Sequence, residues 1–240
     1  MLFLKKIKHK KYNCPVKIRL VPYGGGWTDV HMDIGEDNLY FVISSYQGNQ
    51  FEDLVKALYH MYPKQSDSEN ADSLIDYVEW LTEYTGEEYV PVKIAETREV
   101  GGVYVDIPWK AQFTWDGEGP LAKWYIERNP DNKKDFMLDI KIVEEDYWED
   151  RPEITHQYCV RYKDMCYAVA KACTEALKKH GIYGYHHATY YNDINIRHLL
   201  FLKAVALDNF EARKLKFYEE KGKGETSDFE KEMRLLLMDM

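Results

Sequence analysis

The sequence predicts an α+β fold: a largely antiparallel, meander-like sheet packed by helices, with a helical segment at the C-terminus. Three observations predict it. Apolar residues recur with period two in Val16–Val21, Trp27–Ile34 and several runs between Tyr89 and Val143, the spacing of strands with one buried face. Within 89–143 those runs follow one another through turns rather than helices, which is antiparallel and not βαβ order. From Tyr162 onward the spacing becomes three and four, that of amphipathic helices.

The elements follow in order. Val16-Lys17-Ile18-Arg19-Leu20-Val21 alternates apolar and basic and ends at Pro22-Tyr23-Gly24-Gly25-Gly26. The three glycines form a turn. A phosphate-binding loop would need G-x-x-x-x-G-K-[ST] opening a helix, and a strand follows here instead. In Trp27–Ile34, Trp27, Asp29, His31 and Asp33 share one face and Thr28, Val30, Met32 and Ile34 the other. The second set faces the core, and the polar set is what an edge strand shows to water. A Gly35-Glu36-Asp37-Asn38 turn leads to Leu39–Ser44, apolar on both faces and hence expected to be more central. Phe51, Leu54, Val55, Leu58, Tyr59 and Tyr62 recur at helical spacing up to Pro63, a helix stop.

A second helix is expected over 73–81, with a strand as the alternative reading of Tyr77–Leu81. Strands are expected at Val90–Ala95, Val103–Ile107, Lys110–Trp115, Leu121–Glu127 and Met137–Val143, continuing the opening sheet. Asp116-Gly117-Glu118-Gly119 and Asn129-Pro130-Asp131-Asn132 are turn sequences between them. Tyr162–Lys179 is a helix with Tyr162, Cys166, Val169, Cys173 and Leu177 on its apolar face and Gly181 as its stop. Ile194–Leu207 is nearly continuous in apolar residues and is the most buried helix, with Phe210–Tyr218 as a prolongation. Residues 1–220 form a single α+β domain. Residues 221–240 comprise a Lys221-Gly222-Lys223-Gly224 linker and a C-terminal helix, either mobile or used in assembly.

Composition limits the partners. The net charge is −9, and Lys5, Lys6, Lys8, Lys10, Lys11, Lys17 and Arg19 stand in a first segment without acids, so the remaining body is more acidic than the whole. An acidic body argues against a nucleic-acid backbone as main partner. The N-terminus lacks the charge-then-apolar order of a signal peptide, and no run reaches the ~18 apolar residues of a membrane span. Four cysteines without an export signal suggest the reducing cytoplasm. Cys159, Cys166 and Cys173, spaced by seven, would lie about 10 Å apart on a helix, too far for one shared metal.

Three constellations are candidates for function. Asp29, His31 and Asp33 alternate on one strand face, ~6.6 Å between neighbours, and such a set ligates a metal when the side chains converge. Tyr183–Asp193, with Tyr185, His187, Tyr190 and Tyr191, is the densest run of polar aromatics and lies between two helices. Tyrosine is a frequent interface anchor, and loops carry function. Glu144–Asp150, with Tyr147, Trp148 and Glu149, interleaves acids with aromatics, which suits steering and then anchoring a basic partner. The sequence carries no G-x-S-x-G, H-E-x-x-H, C-x-x-C or Walker A motif. The reading that results is a non-enzymatic cytoplasmic protein presenting an acidic Tyr/Trp-rich surface to a protein partner, with no cofactor, for example in immunity-type neutralisation. The alternatives are a metal-dependent enzyme using Asp29, His31 and Asp33, and a structural protein that assembles through its C-terminal helices.

Overall fold

The computed structural model of the protein describes residues 14–61, 98–100, 103–106, 110–128, 137–146, 148, 152–208 and 229–240. Residues 1–13 of the basic segment 1–19, the helix expected over 73–81, the strand Val90–Ala95, the prolongation Phe210–Tyr218 and the 221–224 linker lie outside them. So do Tyr147 and Glu149.

Two antiparallel sheets form the framework. The first contains β1 (Val16–Gly24), β2 (Trp27–Ile34) and β3 (Asp37–Ser44) in the order β1-β2-β3. A single 3-10 turn at Ser45–Gln47 leads to α1 (Gln50–Met61). The second sheet is a meander of β4 (Arg98–Val100), β5 (Val103–Asp106), β6 (Lys110–Asp116), β7 (Pro120–Arg128), β8 (Met137–Asp146) and β9 (Ile154–Arg161), in sequential order. Then follow α2 (Tyr162–Ala188), α3 (Ile196–Ala206) and α4 (Phe229–Leu237).

Thr28, Val30, Met32 and Ile34 are buried, as their alternation requires. The sheet order corrects two expectations. β2 is the central strand of its sheet, paired on both sides, and β3 is at the edge. Tyr40 is the reason. Its ring is 54% exposed, and its hydroxyl donates to Asp29 Oδ1 at 2.8 Å. It belongs with Asn38 and the half-buried Val42 to the outer face, so only the face of Leu39, Phe41 and Ile43 enters the core. The meander, expected to extend the opening sheet, is instead a separate sheet packed against it.

β3 crosses over that second sheet. At its start Asp37 Oδ2 accepts a hydrogen bond from the Tyr158 hydroxyl of β9 at 3.0 Å. In its middle the Phe41 ring meets Trp115 of β6 edge-on at 5.4 Å and lies 6.0 Å from Trp124 of β7. At its end the Ser44 hydroxyl reaches Glu118 in the β6–β7 turn at 2.6 Å. Trp115, Trp124 and Phe113 are almost fully buried beneath it. Burying aromatic rings of this size contributes on the order of 2–3 kcal/mol each, so this stack helps to bind the two sheets together.

β9 was not expected. Its core-facing residues are His156, Tyr158 and Val160, and the two polar rings hide the period-two pattern. α2 lies along β1 and packs on α3, with Cys166 and Cys173 as small buried apolar groups whose thiol pKa values burial pushes up. The Tyr162 hydroxyl donates to the Leu58 carbonyl at 2.6 Å, tying α2 to α1. Gly181, expected as the stop, is a kink. Its φ of 71° and ψ of 163° break the helix, which resumes to Ala188 in a new direction. A side chain would strain that conformation, and glycine accommodates it.

α4 docks on α3. Leu235 is buried against Leu200 and Ala204, and the fully buried Lys203 donates from Nζ to the Leu236 and Met238 carbonyls at 2.8 and 2.7 Å. These carbonyls at the helix end lack partners within the helix, and a cation there is also favoured by the helix dipole.

Candidate functional site

The segment Ser44–Glu52 joins the elements that carry the candidate surfaces. Gln50, buried at the start of α1, donates from Nε2 to the Ser44 carbonyl at 2.6 Å and to the Asp116 carbonyl at 2.9 Å, while its Oε1 accepts from the Asp116 amide. Trp115 Nε1 donates to the Gln50 carbonyl at 2.7 Å. The end of β3, the start of α1 and the β6–β7 turn are therefore one hydrogen-bonded unit.

The same segment holds the α2–α3 connection. Asn192 Nδ2 donates to the Ser45 and Gly48 carbonyls, both at 3.2 Å, and Asn49 Nδ2 to the Asp193 carbonyl at 2.5 Å. Thr189 Oγ1 closes the loop on itself through the Tyr185 and Asn192 carbonyls at 2.8 and 2.7 Å. Glu52 completes the anchor. Its Oε2 accepts from the Asn195 amide at 3.1 Å and its Oε1 pairs with His198 Nδ1 at 2.7 Å. Asn195 itself caps α3 through the His198 amide, a favoured N-cap residue. Burial pushes the Glu52 carboxyl up to about 7, and the neighbouring Asp53 likewise.

On this base stands a run of rings. Tyr46 lies 4.9 Å from Tyr190, Tyr190 5.3 Å from Tyr191, Tyr191 5.8 Å from His187, and His187 4.6 Å from Tyr183. His186 packs on Tyr191 at 5.2 Å, and its Nδ1 lies 2.9 Å from Asp193 Oδ1. Tyr46, Tyr183, Tyr190 and Tyr191 are all more than half exposed. Tyr190 and Tyr191 both hold left-handed backbone, with φ of 52° and 72°. For bulky residues that is uncommon and costs about 1–3 kcal/mol each. Of the four residues expected in this run, His187, Tyr190 and Tyr191 lie at the surface. Tyr185 is turned inward and lines a small cleft with Thr28, Ser44, Gln50 and Thr189.

The acidic run reaches the same place. Trp148, 71% exposed, lies against the backbone of Gly119 in the β6–β7 turn, where an added Cβ would come 2.7 Å from its ring. Its amide donates to Asp146 Oδ1 at 3.0 Å. Glu145 faces outward and pairs with Lys123 at 2.7 Å. A chain of contacts links Trp148 through Gly119, Glu118, the buried Ser44 and Tyr46 to Tyr190.

No family model, no curated protein and no solved structure matches the chain. The chemistry of the site must be read from its own side chains.

Asp29, His31 and Asp33 share the wet face of β2 as expected, but each is engaged across the strand ladder rather than with the others. Asp29 accepts from Tyr40, whose hydroxyl pKa this hydrogen bond pushes up to about 12. His31 packs on the Tyr40 ring at 5.1 Å. Asp33 Oδ1 accepts from Asn38 Nδ2 at 2.7 Å. Among the described residues no group of three His, Cys, Asp or Glu side chains is placed to hold a metal ion.

Gln50, Glu52 and His198 escaped the sequence reading. A signal existed for Glu52, which stands three before Val55 and seven before Tyr59 and so falls on the apolar face of α1. A carboxylate at such a position demands a partner, and His198 and Asn195 supply it from 143 or more residues away.

Proposed function

We propose that this chain is a non-enzymatic cytoplasmic protein that binds a basic protein partner, in the manner of immunity-type proteins that neutralise a toxin or nuclease. What supports the reading is the exposure of Trp148 and of the rings of Tyr183–Asp193, two sequence-distant sets joined through the β6–β7 turn, Ser44 and Tyr46. Aromatic residues with a polar handle are typical interface anchors. The acids around them, Glu118, Glu145, Asp146 and Asp193, favour encounter with a positively charged partner. Four buried free thiols suit a reducing compartment. No helix among the described residues is long and apolar enough to cross a membrane.

The test is calorimetric binding of a panel of small basic proteins, with acidic proteins of equal size as controls. Basic proteins are expected to bind, more weakly as salt rises, and the double variant Trp148→Ala/Tyr190→Ala is expected to lose that binding with its melting temperature nearly unchanged. Equal binding of basic and acidic proteins, or a collapse of stability in the variant, would remove the support for an interface.

A further inference from the structure

We infer that the exposed rings of Tyr46, Tyr190 and Tyr191, with the Asp193 carboxylate beside them, form a receptor for one guanidinium side chain of the partner. The inference rests on the basic-partner reading above and names the part of the surface that anchors it.

The geometry is that of a cation site. A ring attracts a cation over its face, within about 6 Å of the centroid. Tyr46 and Tyr190 are inclined at 45° and Tyr190 and Tyr191 at 58°, with centroids 4.9 and 5.3 Å apart. These rings do not stack flat on one another, and Tyr191 also has His186 and His187 against it at 5.2 and 5.8 Å. All three are more than half exposed. Three other tyrosines carry cations of the chain itself: Lys141 lies over Tyr125, Lys171 over Tyr167 and Arg197 over Tyr59. No described cation of the chain lies over Tyr46, Tyr190 or Tyr191.

The counter-charge is linked to the rings through His186, which packs on Tyr191. Asp193 is exposed, its backbone carbonyl is held by Asn49, and one carboxylate oxygen is engaged by His186. Arginine suits this site better than lysine because its planar, weakly hydrated guanidinium stacks on a ring while donating to a carboxylate at its edge. The receptor is also built in advance. Gly26 brings the β1–β2 turn so close that a Cβ there would lie 3.2 Å from Tyr190 Cβ and 3.3 Å from the Tyr46 ring. Asn192 ties the loop to the Ser45 and Gly48 carbonyls. Little ordering is left to be done when a ligand arrives, which favours binding.

The experiment titrates the full chain with a short arginine peptide amide and with its citrulline counterpart, which keeps the shape and lacks the charge. Calorimetry is paired with the tyrosine ring resonances in NMR. The arginine peptide is expected to bind and to shift the rings of Tyr46, Tyr190 and Tyr191, and the citrulline peptide to do neither. Tyr190→Asn/Tyr191→Asn, which retains a residue tolerant of left-handed backbone, is expected to weaken binding about tenfold. Tyr190→Phe/Tyr191→Phe keeps the ring faces and should retain most of the affinity. Asp193→Asn should weaken it severalfold. Arginine-peptide binding that leaves these rings unshifted and survives the Asn double variant would overturn the receptor while leaving the acidic surface as the interface. Absence of binding by any basic peptide or protein would overturn both.

Discussion

Gly117 marks how closely the two sheets are seated. An added Cβ there would lie 2.7 Å from the Val42 carbonyl oxygen and 3.4 Å from that of Pro120. Both neighbours are backbone, so neither can swing aside. Gly117→Ala is expected to cost about 2 kcal/mol through displacement of the β6–β7 turn, read as a lowered urea midpoint. An unchanged midpoint would show that the turn moves freely against β3. Asp116-Gly117 was legible as a turn from sequence, because Asp and Gly are turn formers wherever they stand. That the glycine admits a second sheet was not legible, since its neighbour Val42 lies far away in the chain. Tyr190 and Tyr191 make the same point from the opposite side. Nothing in two adjacent tyrosines announces left-handed backbone, which the hydrogen bonds of Thr189, Asn192 and Asn49 impose.

At the scale of elements, Glu52 connects α1 to the start of α3 and thereby to the loop that displays the rings. Its carboxyl has an ordinary value of 4.5 and is pushed up to about 7 by burial, and Asp53 rises from 3.8 to about 7 for the same reason. A raised carboxyl keeps its proton in the folded protein at pH values where the unfolded chain has released it. Its stabilising contribution is complete below the unfolded value and is lost as pH climbs through about 7. The urea midpoint is therefore expected to fall between about pH 4 and pH 7, and Glu52→Gln to flatten part of that fall. A variant with the full wild-type slope would show that the pH dependence originates elsewhere. The helices α1, α2 and α3 were each legible as helices because their apolar spacing is local. The bend at Gly181 was not, because glycine after a basic turn reads equally as a stop. Only packing of the following turns, with Tyr185 turned inward, decides that the helix resumes.

At the scale of the whole molecule, Lys203 holds the C-terminal helix to the body. Burial pushes its ammonium down to about 8, and it spans from α3 to the last carbonyls of α4. Lys203→Met keeps the apolar stem and removes the donors. The expected result is faster amide exchange throughout Phe229–Leu237 with unchanged protection in the sheets, corresponding to a local loss of about 1–3 kcal/mol. Wild-type exchange rates in α4 would mean that Leu235 packing alone secures it.

The surface proposed for the partner follows the same division. Its ingredients were visible in the chain as Tyr183–Asp193 and Glu144–Asp150, because composition and local density need no fold to be counted. The α+β class, the antiparallel order and the buried face of β2 were equally legible, since periods of two and near four are written in neighbouring residues. Tertiary structure alone decided that the strands divide into two sheets, that β2 is central and β3 is an edge, and that Trp148 is linked to Tyr190 through Glu118, Ser44 and Tyr46. The physical reason is that these outcomes depend on pairings between residues tens to more than a hundred positions apart, which local pattern does not encode.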